Sequence, residues 1–222
     1  MTSHTLAAFR TDESRAHDGQ DEDCTFCAIA RNYPHQSSQA STSTSTSASA
    51  SPSAYVTYSD PSTFAILDIL PIRRGHTLVI PRKHVRQLSD LGLDDAAAFA
   101  RALVLVTRMV GKALGDDRLQ VITNQVYAQV VPHLHFHIVP APPLPGSTPR
   151  NPSPSQGSSQ TPLFRGASPE SISLLRAFGH GRDELEDDDA DTLVRQMRDA
   201  LPIVLKEAEQ EDAEHRKKTS KL

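Results

Sequence analysis

The 222-residue chain contains no tryptophan, 5% aromatic residues and a hydrophobic fraction of 37%, below the roughly 45–50% of compact domains. So little apolar material excludes a fold packed from end to end, and the length leaves room for one domain of ordinary size, about 100 to 200 residues. No apolar run approaches the roughly 18 residues of a membrane span, and residues 1–23 lack the long apolar core of a secretory signal. We therefore expect a soluble cytoplasmic protein, with the nucleus as a second compartment, and no membrane partner. An excess of basic charge is also missing: 23 Lys and Arg face 27 Asp and Glu, for a net charge of -4. No global field would gather a nucleic-acid polymer, so any nucleotide must be held by local chemistry. Cysteine occurs only as Cys24 and Cys27. Residues this close make no useful staple, which leaves a metal half-site or a redox pair.

What is present is unevenly spread. Residues 37–54 (SSQASTSTSTSASASPSA) are almost wholly Ser, Thr and Ala, and residues 142–168 are rich in Pro, Ser, Gly and Gln. Neither can bury enough apolar surface to offset the entropy of ordering, so both are predicted to be disordered. Phosphorylated or glycosylated regulatory segments are the rival reading. The expected organisation is a flexible tail at 1–22, a folded domain at 23–140 interrupted by a disordered insert at 36–54, a disordered linker at 141–170, and a C-terminal helical tail at 171–222.

Within the folded region, FAILDIL (64–70) and TLVI (77–80) read as strands joined by turn residues at 71–76, with Pro81 closing the second. Ser89 or Asp90 can cap a mostly buried helix at 94–114, and Gly115 ends it. LQVIT (119–123) and VVPHLHFHIV (130–139) read as two further strands. The order β, β, α, β, β predicts an α+β domain, an antiparallel sheet with a long helix on one face. A last helix is expected at 188–211, with acidic residues 187–191 at its start and Arg216, Lys217, Lys218 and Lys221 beyond its end, the order a helix dipole favours.

HLHFHIV at 133–139 alternates imidazole with apolar side chains. On a strand, His133, His135 and His137 would share one face while Leu134, Phe136 and Ile138 enter the core. Same-face neighbours lie about 6.7 Å apart and the outer pair roughly 13 Å, too far for one metal to take all three. The three rings must divide their roles. A neutral imidazole can attack phosphorus directly, and its neighbours can orient it and donate protons to a leaving group. A plain cluster of surface histidines and a purely metal-binding strand are the alternatives.

This run resembles the His-φ-His-φ-His-φ-φ motif of the histidine-triad (HIT) nucleotide hydrolases and transferases. The likeness extends through CTFC (24–27), residues 64–71 and GHTLVIPRKH (75–84), in that order. It implies a HIT-like sheet, a purine nucleotide substrate and a two-fold dimer formed through the long helix and a sheet edge. By position, His135 matches the family's nucleophile, His137 the third triad histidine at the phosphate or leaving group, and His76 a member of the active-site network. Asp68 matches the carboxylate that binds the ribose hydroxyls, while Asn124 and Gln129 match polar residues around the α-phosphate. The sequence departs from the pattern in its shorter loop NQVYAQ (124–129), with Ala128 where a glycine normally precedes the glutamine. Val130 also stands where many phosphoramidases carry Ser or Thr, which weakens the expectation of efficient P–N cleavage.

The same resemblance, to its zinc-bearing branch and to galactose-1-phosphate uridylyltransferases, implies a structural Zn²⁺ on Cys24, Cys27, His84 and His133, with His35 as the competing ligand. A redox pair is less favoured, because Asp21, Glu22 and Asp23 would raise rather than lower thiol pKa. No organic cofactor is expected. The function expected from these residues is hydrolytic release of AMP or GMP from a nucleotide phosphoramidate, dinucleoside polyphosphate or related conjugate through a covalent nucleotidyl-His135. The alternatives are nucleotidyl transfer to a phosphorylated acceptor and a non-catalytic nucleotide-binding module. Arg182 in the tail is a further residue that could reach a phosphate.

Overall fold

The computed structural model describes residues 21–35, 54–142 and 184–219. The N-terminal tail, nearly all of both Ser- and Pro-rich stretches, and Arg182 lie outside the described residues. Five strands, β1 (Val56–Ser59), β2 (Thr63–Leu67), β3 (Thr77–Pro81), β4 (Leu119–Ile122) and β5 (Phe136–Pro140), form one sheet in the order β1-β2-β3-β5-β4. Every adjacent pair is antiparallel. Three helices accompany it: α1 (Thr25–Asn32), α2 (Leu93–Leu114) and α3 (Asp187–Thr219). The α+β class and the helix-covered antiparallel sheet expected from the sequence are the ones observed.

Alternation along the strands builds two cores. Ala65, Leu67, Val79 and Ile138 face Phe99, Val106 and Met109 of α2 together with Leu193 and Met197 of α3. Phe64, Ile66, Leu78 and Ile80 face the opposite way, against Phe26 and Ile29 of α1. Both faces of β2 and β3 are thus covered, which is why these segments read as unbroken apolar runs. Arg82 knits α1 to the strands: its guanidinium donates to the carbonyls of Ala30, Tyr33 and Asp60 and to the Ser59 hydroxyl.

Three expectations need correction. The residues proposed to cap α2, Ser89 and Asp90, instead lie in a 3₁₀ turn (Leu88–Asp90) where Gln87 and Asp90 bond reciprocally, and Gly92 precedes the helix without a side-chain cap. Asp94 and Asp95 in the first turn and left-handed Gly115 after the last supply the end signals. The last strand begins at Phe136 rather than 130, because Pro132 has no N–H and the next donors bond elsewhere, His133 N–H to Val131 O and Leu134 N–H to Val85 O. The tail helix is longer than 188–211, running to Thr219. Arg108 and Lys112 of α2 pair with Glu211 and Glu207 along it.

The start of α3 is tied to the turn between β2 and β3. Leu185 N–H donates to Ile69 O at 2.9 Å, and the Arg74 guanidinium grips both carboxylate oxygens of Asp189 at 2.6 to 3.0 Å. That turn carries Asp68 at one end and His76 at the other, closed by Asp68 N–H to His76 O.

Candidate active site and metal centre

Cys24 precedes α1 as its N-cap and Cys27 lies in the first turn, a three-residue spacing that puts both thiols on one side. His84 follows β3, and His133 precedes β5. The ligand atoms of all four lie within 4.8 Å of one another. Cys24 Sγ is 3.4 Å from His133 Nδ1, Cys27 Sγ 3.4 Å from His84 Nδ1, and Cys27 Sγ 3.6 Å from His133 Nδ1. A tetrahedral Zn²⁺ with bonds of about 2.3 Å to sulfur and 2.05 Å to nitrogen would space such atoms roughly 3.6 Å apart. The donor set therefore fits zinc in chemistry and spacing. His133 Nε2–H donates to Pro81 O at 2.9 Å, which leaves the Nδ1 lone pair for the metal. Asp21 N–H donates to Cys27 Sγ, and the Asp21 carboxylate stands 3.8 Å from His84 Nε2. Cys24 is held well below the ordinary thiol range, first by the hydrogen bond from the Cys27 thiol and then by His133 and His84. Cys27, the donor in that pair, is pushed up. His35 is exposed and outside the cluster.

His135 is buried immediately beside this centre. Its Nδ1–H donates to the His133 carbonyl at 2.6 Å, and burial pushes its pKa below the ordinary histidine value. The ring is therefore neutral at pH 7, with its remaining lone pair on Nε2. Phe26, from between the two cysteines, packs edge-on against both His133 and His135. Thr123 Oγ1 donates to the His135 carbonyl at 2.8 Å, fixing the backbone on its other side.

His137, the first of the three on a regular strand, turns to a different partner. Its Nδ1 lies 3.0 Å from His76 Nε2, and His76 Nδ1 lies 3.2 Å from Asp68 Oδ2. Asp68 Oδ1 accepts from Leu70 N–H at 2.9 Å. The three histidines of the motif thus join three different sets of partners: the thiols, a backbone carbonyl, and the His76–Asp68 chain.

The loop before β5 is strained. Val126 (φ 57) and Ala128 (φ 61) both have left-handed backbone. Gln129 braces it, its Oε1 accepting from Val126 N–H and its Nε2 donating to the carbonyls of Arg86 and His133. Its amide is thereby committed to backbone groups. Asn124 is half-buried just after β4. Phe26 and Thr123 escaped the sequence reading, and Asp21 entered it only as one of three charges near the thiols. Position between the two cysteines of the candidate metal centre was a signal for Phe26, whereas the contacts of Asp21 and Thr123 depend on neighbours more distant in sequence.

Comparison with known proteins adds to this geometry. A profile of the HIT domain matches residues 50–143. An uncharacterized HIT-like protein of Saccharolobus solfataricus is 34% identical over 119 residues, 53% of this chain and 73% of that protein. An adenosine 5'-monophosphoramidase of Schizosaccharomyces pombe is 39% identical over 82 residues, 36% of this chain and 59% of that one. An adenylylsulfatase of Arabidopsis thaliana is 34% identical over 85 residues, 37% and 43% of the two chains. A hypothetical histidine triad nucleotide-binding protein from Sulfolobus tokodaii superposes with a TM-score of 0.53 at 27% identity, covering 82% of this chain and 93% of that one. A zinc-bound histidine triad family protein from Mycobacterium smegmatis gives 0.51 at 25% identity, covering 84% and 97%. Sheet, motif and likeness together define the histidine-triad class of nucleotide-binding proteins. The chain belongs to the HIT family.

Proposed function

We propose that this chain is a hydrolase that releases a nucleoside monophosphate, AMP or GMP, from a nucleotide conjugate through a covalent nucleotidyl-His135 intermediate. The observation that carries this reading is the 2.6 Å bond from His135 Nδ1–H to the His133 carbonyl within a buried ring, which reserves the Nε2 lone pair for attack. In the first step Nε2 bonds to the α-phosphorus while the bond from phosphorus to the leaving group breaks, its electron pair departing with that group. In the second, a water oxygen bonds to phosphorus, the P–N bond returns its pair to Nε2, and the water proton passes to the His137–His76 pair or to solvent. Asp68 binds the ribose hydroxyls, and Asn124 with the loop braced by Gln129 borders the phosphate. Cys24, Cys27, His84 and His133 would hold a Zn²⁺, which would supply rigidity to the segment carrying the nucleophile. A homodimer through α2 and the edge strand β4 accords with exposed Val104 and Val121.

The relatives named for adenosine monophosphoramidate and for adenylyl sulfate support an adenylate conjugate as substrate. The Val130 side chain is apolar and its residue 91% exposed, so it offers no hydroxyl to protonate an amine. Conjugates whose leaving group departs as a stable anion, such as adenylyl sulfate or a dinucleoside polyphosphate, are therefore favoured over phosphoramidates. Rapid quench into alkaline denaturant, which preserves a P–N bond, with intact-mass detection tests the mechanism: a nucleotidyl adduct should appear within the first turnover of wild type and be absent from His135→Ala. Undiminished turnover by His135→Ala would sink it.

A further inference from the structure

A cavity of about 430 Å³ opens between the turn after β2 and the edge strand β4. Ile72, Ile122 and Val139 form its apolar floor, and Arg73, Gln120 and Arg118 its polar rim. It adjoins the two histidines beside the nucleophile. Ile72 N–H donates to His76 Nδ1 at 3.2 Å, and Ile122 pairs with His137 across the β4–β5 ladder. Gln120 pairs with Val139 in the same ladder, so Gln120, Ile122, His137 and Val139 project from one face of the sheet. Arg73 is anchored at the same place, its carbonyl accepting from His76 N–H at 2.9 Å.

Charge and size define what the cavity can take. The Arg118 guanidinium donates to both carboxylate oxygens of Asp116, at 2.9 and 2.5 Å, which offsets its charge. Arg73 is exposed and, among the described residues, makes no ion pair. An uncompensated cation beside an apolar floor suits a ligand with an anionic group on a planar or apolar body. The volume falls within the roughly 300–1,000 Å³ of small-molecule sites and exceeds what a sulfate would fill.

Strand order supplies the direction. In β2-β3-β5-β4, Asp68 follows β2, His76 precedes β3, His137 lies on β5, and β4 borders the cavity. Asp68 and the cavity thus stand on opposite sides of the two histidines, about 14 Å apart over three strand spacings. A nucleotide conjugate laid across the sheet puts its ribose at Asp68, its α-phosphorus by the histidines and its leaving group in the cavity.

Resting on the nucleotide reading above, we propose that this cavity is the leaving-group subsite and that Arg73 is its specificity-determining residue. Arg73 binds an anionic group next to the scissile bond, and Ile72, Ile122 and Val139 receive an apolar body beyond it. The subsite therefore favours a bulky anionic leaving group, such as the distal nucleotide of a dinucleoside polyphosphate, over the sulfate of adenylyl sulfate. It disfavours a protonated amine by like charge.

The test uses the full zinc-replete chain carrying His135→Ala, in which affinity is read apart from chemistry. Calorimetry compares AMP with diadenosine triphosphate, which should bind at least about tenfold more tightly, the worth of one charge-assisted contact. Adding Arg73→Ala should remove most of that advantage, and Arg73→Lys, which keeps the charge, should retain most of it. Gln120→Trp, at an exposed rim position, should fill the cavity and remove the advantage as well. AMP is the control for a disturbed turn, because damage around Asp68 or His76 weakens both ligands alike. With His135 present, Arg73→Ala should lower kcat/KM for diadenosine triphosphate about tenfold relative to that for adenylyl sulfate. If both ligands bind equally well in His135→Ala, or the advantage survives either substitution, the subsite is wrong while the hydrolase reading stands. If neither ligand binds, both fall.

Discussion

At the scale of single residues, the backbone sets one clear expectation. Ala128 occupies left-handed backbone with φ 61, a conformation costing an L-residue roughly 1 kcal/mol that glycine avoids. Ala128→Gly should therefore raise stability by up to about 1 kcal/mol, less the extra unfolded-state entropy of glycine, measured by denaturant titration. A loss of stability would mean that the Ala128 methyl packs. The neighbouring histidines separate more sharply. His135→Ala should keep zinc content and melting near wild type while turnover falls by several orders of magnitude, covalent catalysis having lost its attacking atom. His133→Ala should release zinc, measured by metal analysis of the purified protein, and lose activity through the fold. Zinc loss from His135→Ala would overturn the division of roles. The CxxC pair and the alternating histidines were legible because short-range spacing carries them. The edge-on packing of Phe26 on two imidazoles and the Asp21 contacts were not, since they exist only once α1 has docked on the sheet.

At the scale of elements, the turn between β2 and β3 is the informative one. Gly75 has φ 87, and a Cβ there would come within 2.8 Å of the Leu114 Cδ1 atom at the end of α2. Gly75→Ala should destabilise by more than about 1 kcal/mol, and it should weaken nucleotide binding because Asp68 and His76 sit at the ends of the same turn. Combining it with Leu114→Ala removes the clash but not the backbone penalty, so a double-mutant cycle should show partial recovery. Strict additivity would assign the whole effect to the backbone. The hairpin and α2 could be read directly from two apolar runs around turn residues and from a helix ended by Gly115. β1 could not, because its four residues alternate weakly and gain their place only by pairing with β2. The start of β5 was misjudged for a related reason: alternation continues back to His133, but Pro132 and the bond from Leu134 to Val85 take the preceding backbone out of the ladder.

At the scale of the whole molecule, α3 completes both a core and a site. Leu193 and Met197 are buried in the cluster formed by α2 and the sheet, so a chain ending at residue 183 would expose that cluster. Such a truncation should bind a hydrophobic dye, unfold with reduced cooperativity and lose nucleotide affinity. Retained affinity would show that the turn holds itself. Breaking only the clamp is a milder perturbation: Arg74 and Asp189 side chains are 30% and 28% exposed, so Asp189→Asn should cost under about 1 kcal/mol in stability. Its larger effect should be a raised KM through a looser turn. The sequence revealed a helical tail but not its seat, because nothing local distinguishes a helix that docks from one that projects into solvent. The distance between clamp partners also has a meaning in time. Asp189 is synthesised 115 residues after Arg74, which at about 5 to 20 residues per second is a lag of roughly 6 to 23 s. During that interval the nascent chain can already have paired its first strands and brought Cys24, Cys27 and His84 together, while the turn from Asp68 to His76 stays untied. Maturation would then run from the far end of the message, and a ribosome that stalls late would leave behind a domain with its histidine strand in place and the Asp68–His76 turn unclamped.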